Sequence, residues 1–191
     1  VEQVAPQVDA VVMLDQVTTR DAGVLTHRVR EKICQIARRL PDTLFYADSR
    51  SAIGEFRNIL LKPNDREAVR AIYPNSASDC SEERVTDAGR TLFQRTGKPV
   101  FVTRGEKGIL VTSEAGQHMV PAFPVAGPID VCGAGDSATA GIILALCSGA
   151  SPVQAALVGN LVASKTVVQI GTTGTTTRPE LLKSYARDSS D

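Results

Sequence analysis

Residues 127–137 read Gly-Pro-Ile-Asp-Val-Cys-Gly-Ala-Gly-Asp-Ser and open a long apolar segment that is predicted to be helical. Small residues let a ligand approach the backbone closely. A helix start offers unpaired N–H groups and a partial positive charge, which suit phosphate. Asp136 is the exception, because a carboxylate repels phosphate. A carboxylate there is useful as a base that takes the proton of an attacking hydroxyl, so the stretch predicts phosphoryl transfer to an alcohol.

A purely structural interpretation of the same stretch is open at this point. Glycine-rich loops precede helices in many α/β proteins, and an acid in the first turn favours a helix N-terminus. Other segments of the sequence are needed to distinguish a structural role from phosphoryl transfer.

The composition is that of one ordinary globular domain. The 191 residues are 42% hydrophobic and 22% charged, and 21 basic residues balance 21 acidic ones. Without a basic excess, without Trp and with 4% aromatic residues, the chain is not predicted to bind nucleic acid. Residues 138–147, the longest near-apolar run, are too short to span a membrane.

The four cysteines, at positions 34, 80, 132 and 147, form no Cys-x-x-Cys pair. They predict free thiols in the cytoplasm and not a zinc site. Cys132 is expected to be a small packing residue.

Apolar periodicity predicts strands that alternate with helices. Predicted strands cover residues 8–15, 43–47, 58–62 and 100–103, with a hairpin at 109–112 and 118–120; predicted helices cover 20–40, 85–95, 133–148 and 152–168, and a further one begins at 63–67. This alternation indicates an α/β fold with a mostly parallel sheet between helices. Polar residues at or just past the strand ends, where such sheets bind ligands, are Asp15, Asp48, Asn64 and Thr103.

Three motifs, in order along the chain, resemble those of the ribokinase-like (PfkB) carbohydrate kinases. Residues 129–136 resemble the signature Asp-Thr-x-Gly-Ala-Gly-Asp, with Val131 in place of the usual Thr. Residues 64–67, Asn-Asp-Arg-Glu, resemble the Asn-x-x-Glu motif, and residues 102–108, Val-Thr-Arg-Gly-Glu-Lys-Gly, resemble the nucleotide-side turn. The resemblance implies a three-layer α/β/α fold, in which residues 1–191 are the C-terminal nucleotide-binding and catalytic part of a single domain. The family's N-terminal strands, Gly-Gly sugar-binding stretch and β-lid are expected to be missing.

The resemblance implies ATP-dependent phosphorylation of a hydroxyl of a sugar or a sugar phosphate. Asp136 would be the base, and the N–H groups of Gly133, Ala134 and Gly135 would hold the transferring phosphoryl group. Glu67 would act on Mg²⁺ through water. Asp130, together with residues 171–175, would hold a monovalent cation such as K⁺. The residues implied in nucleotide binding are Asn64, Glu67, Thr103, Gly105, Gly108 and Asn160.

Alternatives remain open for the residues and for the function. Asn64 and Glu67 also fit a helix N-cap with a first-turn acid, and Asn160 fits a half-buried polar residue of a helix. A non-catalytic nucleotide-binding or regulatory fragment is one alternative function, and a kinase for a nucleoside or a vitamin-like alcohol is another. A homodimer is left open as the assembly.

Within the family, the chain looks closest to the heptose-phosphate kinases. A strand that ends in Asp15, followed by Gly-Val-Leu-Thr at 23–26, is similar to that branch, as is Leu-Leu-Lys-Pro-Asn at 60–64. The branch's usual Asp-Tyr-Gly-Lys-Gly is replaced at residues 15–21, so its substrate-contacting Lys is absent. Arg20, Arg50 or Lys62 could bind a substrate phosphate instead, although a solvated surface charge is the favoured interpretation of each one.

Overall fold

The computed structural model describes residues 1–76 and 78–188. Its strands are β1 (Ala10–Asp15), β2 (Leu44–Ser49), β3 (Leu60–Leu61), β4 (Val100–Thr103), β5 (Ile109–Ser113) and β6 (Gly116–Val120), and its helices are α1 (His27–Arg39), α2 (Asp65–Ile72), α3 (Glu82–Thr96), α4 (Ala134–Cys147), α5 (Pro152–Thr166) and α6 (Arg178–Asp188). The strands form one sheet in the order β1-β2-β3-β4-β5-β6. The pairs from β1 to β4 are parallel, which confirms the predicted mostly parallel α/β arrangement.

The chain divides into two compact units. The first consists of Val1–Arg104 with Leu110–Met119, and the second consists of Gly105–Ile109 with the chain from Val120 onward. The prediction that the chain forms part of a single kinase domain stays a prediction.

The first unit is built on the parallel strands and α1 to α3. Its core contains buried side chains from each of these elements: Met13, Ile33, Ile36, Phe45, Leu61, Val69, Val85, Leu92, Val100 and Val102. The register pairs Leu14 with Asp48 and Asp15 with Ser49, so the carboxyl ends of β1 and β2 lie side by side. Polar residues that the sequence places at strand ends therefore meet at one edge of the sheet.

The second unit contains the closely packed pair α4 and α5. A Cβ added at Gly141 would lie 3.0 Å from the Cα of Gly159, and one added at Gly159 would lie 2.8 Å from Ile142 Cγ1. Glycine at both positions therefore lets the two helices cross closely, because a side chain there would meet the facing helix.

Three sequence-based predictions of the elements are corrected, and one helix was missed. α1 begins at His27 and not at Arg20, because Asp21 has a positive φ of 56° that ends any helix. β3 is shorter than predicted, because Asn58 has a φ of 60°. β1, predicted to be buried, is an edge strand whose Val12 and Leu14 are exposed. α6 was not predicted, although Thr177 and Glu180 form the hydrogen bonds that start it.

Candidate functional site

The carboxyl edge of the first unit's sheet carries two buried acids. Asp15 accepts a hydrogen bond of 2.7 Å from the Ser49 hydroxyl, which in turn accepts one from the N–H of Ala52. Asp48 forms an ion pair of 2.6 Å with the ammonium group of Lys62, and both side chains are almost completely buried. The prediction that Lys62 binds a substrate phosphate is not favoured, because its charge is neutralised by Asp48.

The other two substrate-phosphate candidates have different surroundings. Arg20 is exposed and lies 2.8 Å from Glu55. Arg50 is exposed, and its carbonyl oxygen accepts a hydrogen bond from the side chain of Arg70. Neither guanidinium is fixed at the strand-end cluster of Asp15 and Asp48.

Asn64 and Glu67 form a reciprocal cap at the start of α2. The Asn64 side chain accepts from the N–H of Glu67, and the Glu67 carboxylate accepts from the N–H of Asn64, each at 2.8 Å. Burial raises the pKa of Glu67, the N–H of Asn64 lowers it, and the charges of Asp48 and Lys62 act on it in opposite directions. Glu67 is therefore fixed in orientation, and the charges of the Asp48–Lys62 pair influence its pKa.

The end of β4 is held against the segment that precedes α2. The N–H of Thr103 donates to the carbonyl of Pro63 at 2.9 Å, and Asn64 and Thr103 form a parallel bridge. The next residue, Arg104, is buried and paired with Glu82 through two hydrogen bonds, one of them 2.9 Å long. Asp15, Asp48, Asn64 and Thr103 thus share one edge, as their positions predicted.

The nucleotide-side turn that the sequence predicts lies in the second unit. Residues Gly105–Lys107 form a 3-10 turn, with φ values of 58° at Gly105 and 98° at Gly108. A Cβ at Gly108 would lie 2.1 Å from the carbonyl oxygen of Val120. Only glycine fits at position 108, so this turn has a defined shape.

The signature residues 133–136 form the beginning of α4. Gly133 is the N-cap with a φ of 77°, and no side chain of the described residues caps the helix. Asp136 is an exposed acid of the first turn. The N–H of Ala134 donates to the carbonyl of Val131 at 3.1 Å, so this amide would have to leave that bond before it could hold a phosphoryl group. The helix start and the acid that phosphoryl transfer needs are therefore adjacent.

Asp130 links the signature motif at residues 129–136 to the loop at residues 171–175. Its carboxylate accepts hydrogen bonds from the N–H groups of Cys132 (2.9 Å) and Gly171 (3.0 Å), which hold the pKa of Asp130 below its usual range. The side chain of Gln169 closes the same loop through two hydrogen bonds to the backbone of Thr175. The structure thus brings Asp130 and residues 171–175 together, as the prediction of a cation site required.

Asn160 lies in α5 and is buried. Its amide group donates to the backbone oxygens of Val120 and Pro121 at 3.0 and 2.9 Å. These bonds agree with the structural alternative for this residue, and its role beside adenine stays a prediction.

Two features differ from what the sequence predicted for the site, or were missed by it. Cys132 is exposed and is not the packing residue that the sequence predicted; the cysteines of the described residues form no disulfide. The pairs Asp48–Lys62 and Arg104–Glu82 were missed, since the partners are 14 and 22 positions apart in the sequence. No sequence periodicity indicates such pairs.

Metal-binding clusters and membrane-spanning helices are both absent from the described residues. These residues contain no group of three or more His, Cys, Asp or Glu side chains that could hold a metal ion. None of their helices combines the length and the apolar character needed to cross a membrane.

Comparison with known proteins gives consistent matches. The model of the pfkB family carbohydrate kinases matches residues 24–178. The bifunctional protein HldE of Bradyrhizobium diazoefficiens is 33% identical over 190 residues, which cover 90% of this chain. Escherichia coli phosphofructokinase-2 in complex with potassium aligns with a TM-score of 0.74 at 22% identity, over 97% of this chain and 60% of that one. Arabidopsis thaliana ribokinase complexed with ribose and ATP aligns with a TM-score of 0.71 at 18% identity, over 95% and 57%.

These matches confirm the ribokinase-like fold class. The chain spans less than the full length of its relatives. It covers 34% of the Bradyrhizobium protein, and 23% and 30% of two further HldE proteins.

Proposed function

Because the chain belongs to the pfkB family of carbohydrate kinases, we propose that it carries the nucleotide-side and catalytic residues of an enzyme that transfers a phosphoryl group from ATP to a hydroxyl of a sugar or a sugar phosphate. One observation carries this proposal. An exposed carboxylate, Asp136, stands in the first turn of a helix that no side chain of the described residues caps. This arrangement combines a proton acceptor with N–H groups available to an anion.

Asp136 is the proposed base. Its exposure lets an acceptor hydroxyl approach within hydrogen-bond reach. The proton would move from that hydroxyl to the carboxylate as the oxygen attacks the γ-phosphorus of ATP, while the bond from this phosphorus to the bridging oxygen breaks and ADP leaves. The partial positive charge of the helix start stabilises both the carboxylate and the charge of the transferring group.

Gly133 and Gly135 supply the amides that suit the phosphoryl group best. Gly133 adopts a left-handed conformation, and a Cβ there would lie 3.2 Å from Thr173 Cγ2. Glycine is therefore favoured at position 133, and residues without side chains let a phosphate approach the backbone N–H groups closely. Ala134 is a weaker candidate, because its N–H already donates to Val131.

The residues of the first unit fit a water-mediated Mg²⁺ site. Glu67 is fixed by the N–H of Asn64 through one oxygen, and Mg²⁺ keeps several waters when it binds a protein. Since the described residues offer no cluster of three acidic or metal-ligating side chains, direct coordination by protein alone is not proposed. When bound, Mg²⁺ would neutralise charge on the nucleotide phosphates. The residues proposed to bind the nucleotide are Asn64, Thr103, Gly105, Gly108 and Asn160.

Asp130 is the proposed ligand of a monovalent cation. Each of its oxygens accepts one N–H, and a carboxylate oxygen has a second lone pair for a cation. The complex of Escherichia coli phosphofructokinase-2 with potassium supports K⁺ as the ion to test.

The acceptor is proposed to be a sugar or a sugar phosphate. The structure of Arabidopsis ribokinase with ribose and ATP supports this class. The motif resemblance to heptose-phosphate kinases makes heptose phosphates the first acceptors to test. Cytoplasmic location is also proposed, as ATP is the donor, and assembly as a homodimer remains to be measured.

ADP release from Mg-ATP tests the proposal. Residues 1–191 and their Asp136→Asn variant would be assayed against a panel of sugars, sugar phosphates, nucleosides and vitamin precursors. Glu83→Gln, an amide substitution at another exposed first-turn acid, serves as the matched control. Acceptor-dependent release that is lost only in Asp136→Asn supports the proposal. Release that persists in Asp136→Asn contradicts the role of this residue, and silence across the panel with intact ATP binding favours the non-catalytic fragment.

A further inference from the structure

Arg104 has an unusual environment for a charged residue. Its side chain is 3% exposed, but its carboxylate partner, on Glu82, is 66% exposed. The two Nη atoms bond to the two oxygens of Glu82, whereas Nε is the one buried side-chain nitrogen or oxygen atom of the described residues that has no hydrogen-bond partner. The guanidinium of Arg104 is therefore buried, whereas the carboxylate of Glu82 that pairs with it is exposed to solvent.

Stability does not explain why an arginine stands at this position. A buried N–H without a partner is destabilising. Replacing Arg104 alone would leave no uncompensated buried charge, because the carboxylate of Glu82 is exposed to solvent. An apolar residue such as Met would therefore be equally suitable if the fold were the only requirement.

The position of Arg104 in the chain suggests another reason. Arg104 is the residue at which the chain leaves β4 and enters the turn Gly105–Lys107. Thr103 is held by the carbonyl of Pro63, and Arg104 is held by Glu82, the first residue of α3. The two-bond guanidinium–carboxylate contact is planar and directional, so it fixes the backbone from which the turn departs.

We infer that Arg104 is a positioning residue for the nucleotide: with Glu82 it orients the turn at 105–108, without touching the nucleotide itself. The inference rests on the proposed function, which assigns this turn to nucleotide binding. Both Nη atoms are engaged by Glu82 and Nε is buried, so the guanidinium acts through the backbone. A turn that is oriented before binding saves the cost of ordering it in the complex.

The experiment is a calorimetric titration of Mg-ATP into residues 1–191, combined with thermal unfolding of each variant. Arg104→Met removes the pair but keeps the bulk of the side chain. Arg30→Met is the matched control, because Arg30 has the same 3% exposure and a close pair with Glu55, but lies in α1. We expect Arg104→Met to keep the wild-type melting temperature within a few degrees and to raise the Kd for Mg-ATP about tenfold. Arg30→Met is expected to lower the melting temperature and leave the Kd unchanged, because Arg30 also donates a hydrogen bond to the carbonyl of Leu25 and its partner Glu55 is only 30% exposed.

Two further variants keep the inference testable if Arg104→Met does not fold. Glu82→Gln removes the charge of the exposed partner and, like Arg104→Met, should raise the Kd for Mg-ATP. Arg104→Lys retains the charge but not the two-bond geometry, and should recover only part of the affinity. An unchanged Kd in Arg104→Met and Glu82→Gln overturns the inference, as does a loss of affinity that follows melting temperature equally in the Arg104 and Arg30 variants. Absence of Mg-ATP binding by the wild-type chain would instead overturn the proposed function, and this inference with it.

Discussion

Substitution of Lys62 by Met tests whether the Asp48–Lys62 pair holds the carboxyl edge of the sheet together. The side chains of Lys62 and Asp48 are 4% and 10% exposed, and their charged atoms are 2.6 Å apart. Lys62→Met keeps the apolar length of the side chain but leaves the carboxylate of Asp48 buried without a cation. Loss of one partner of a buried pair costs about 3–5 kcal/mol of unfolding free energy.

The expected change in melting temperature follows from the size of the chain. In a protein of this length 1 kcal/mol corresponds to roughly 2–4 °C, so Lys62→Met should lower the melting temperature by roughly 6–20 °C. The assay is thermal and urea unfolding at pH 7, followed by circular dichroism. The double variant Lys62→Met/Asp48→Asn should recover most of the loss, because it no longer contains an uncompensated buried charge.

Arg39 provides the matched control for this measurement. Its guanidinium also lies 2.6 Å from a carboxylate, that of Glu2, but both side chains are more than half exposed. Arg39→Met should cost less than about 1 kcal/mol, since exposed ion pairs contribute little. A loss of that small size for Lys62→Met, or a double variant less stable than Lys62→Met, would refute the reasoning from burial.

Three further substitutions probe the turn and the α2 cap. Gly108→Ala should markedly lower the melting temperature, because the added Cβ would lie 2.1 Å from the carbonyl oxygen of Val120. The control is Gly97→Ala, at a left-handed position where the Cβ would meet no atom within 4 Å, and it should cost only about 1–2 kcal/mol of unfolding free energy. A similar loss for both glycines in thermal unfolding would contradict the contact at position 108. Asn64→Ala removes the side-chain acceptor of the α2 cap and should cost about 1 kcal/mol in urea unfolding, and no measurable loss would show that the cap is dispensable. Glu67→Gln can keep the capping hydrogen bond but cannot ionise. Burial raises the pKa of Glu67 in the folded state above its value in the unfolded state. The protonated carboxyl group therefore stabilises the folded wild type at acid pH, and this stability is lost as pH rises through the folded-state pKa. Melting curves from pH 4 to 8 should therefore show Glu67→Gln gaining stability relative to the wild type as pH rises, and a constant difference would argue against the raised pKa.

The sequence was most informative where local patterns determine structure. Residues 100–103 were predicted as a strand with the bounds that β4 has, because their short β-branched run is followed by a glycine turn. The signature at 133–136 predicted the start of α4 to within one residue. Asp15, Asp48, Asn64 and Thr103 were predicted to share one edge, since strand order and parallel direction follow from alternating elements.

Features that depend on contacts between distant residues could not be predicted in this way. Asp21 has a left-handed conformation, and its carboxylate accepts a hydrogen bond from the N–H of His27, where α1 begins. The apolar periodicity of the sequence does not indicate this conformation. The burial of Arg104 depends on where α3 places Glu82. α6 is different, because Thr177 and Glu180 have the spacing of a capping box and could have indicated its start.

A calorimetric titration of Mg-ATP into residues 1–191 and into Asp136→Asn tests the central claim most directly, namely that this chain holds the nucleotide and uses Asp136 only in transfer. The wild type and the variant should bind Mg-ATP with the same Kd within a factor of about 3, since the substituted group acts on the acceptor hydroxyl and not on the nucleotide. Absence of binding heat in the wild type, or a large loss of affinity in Asp136→Asn, would contradict the account.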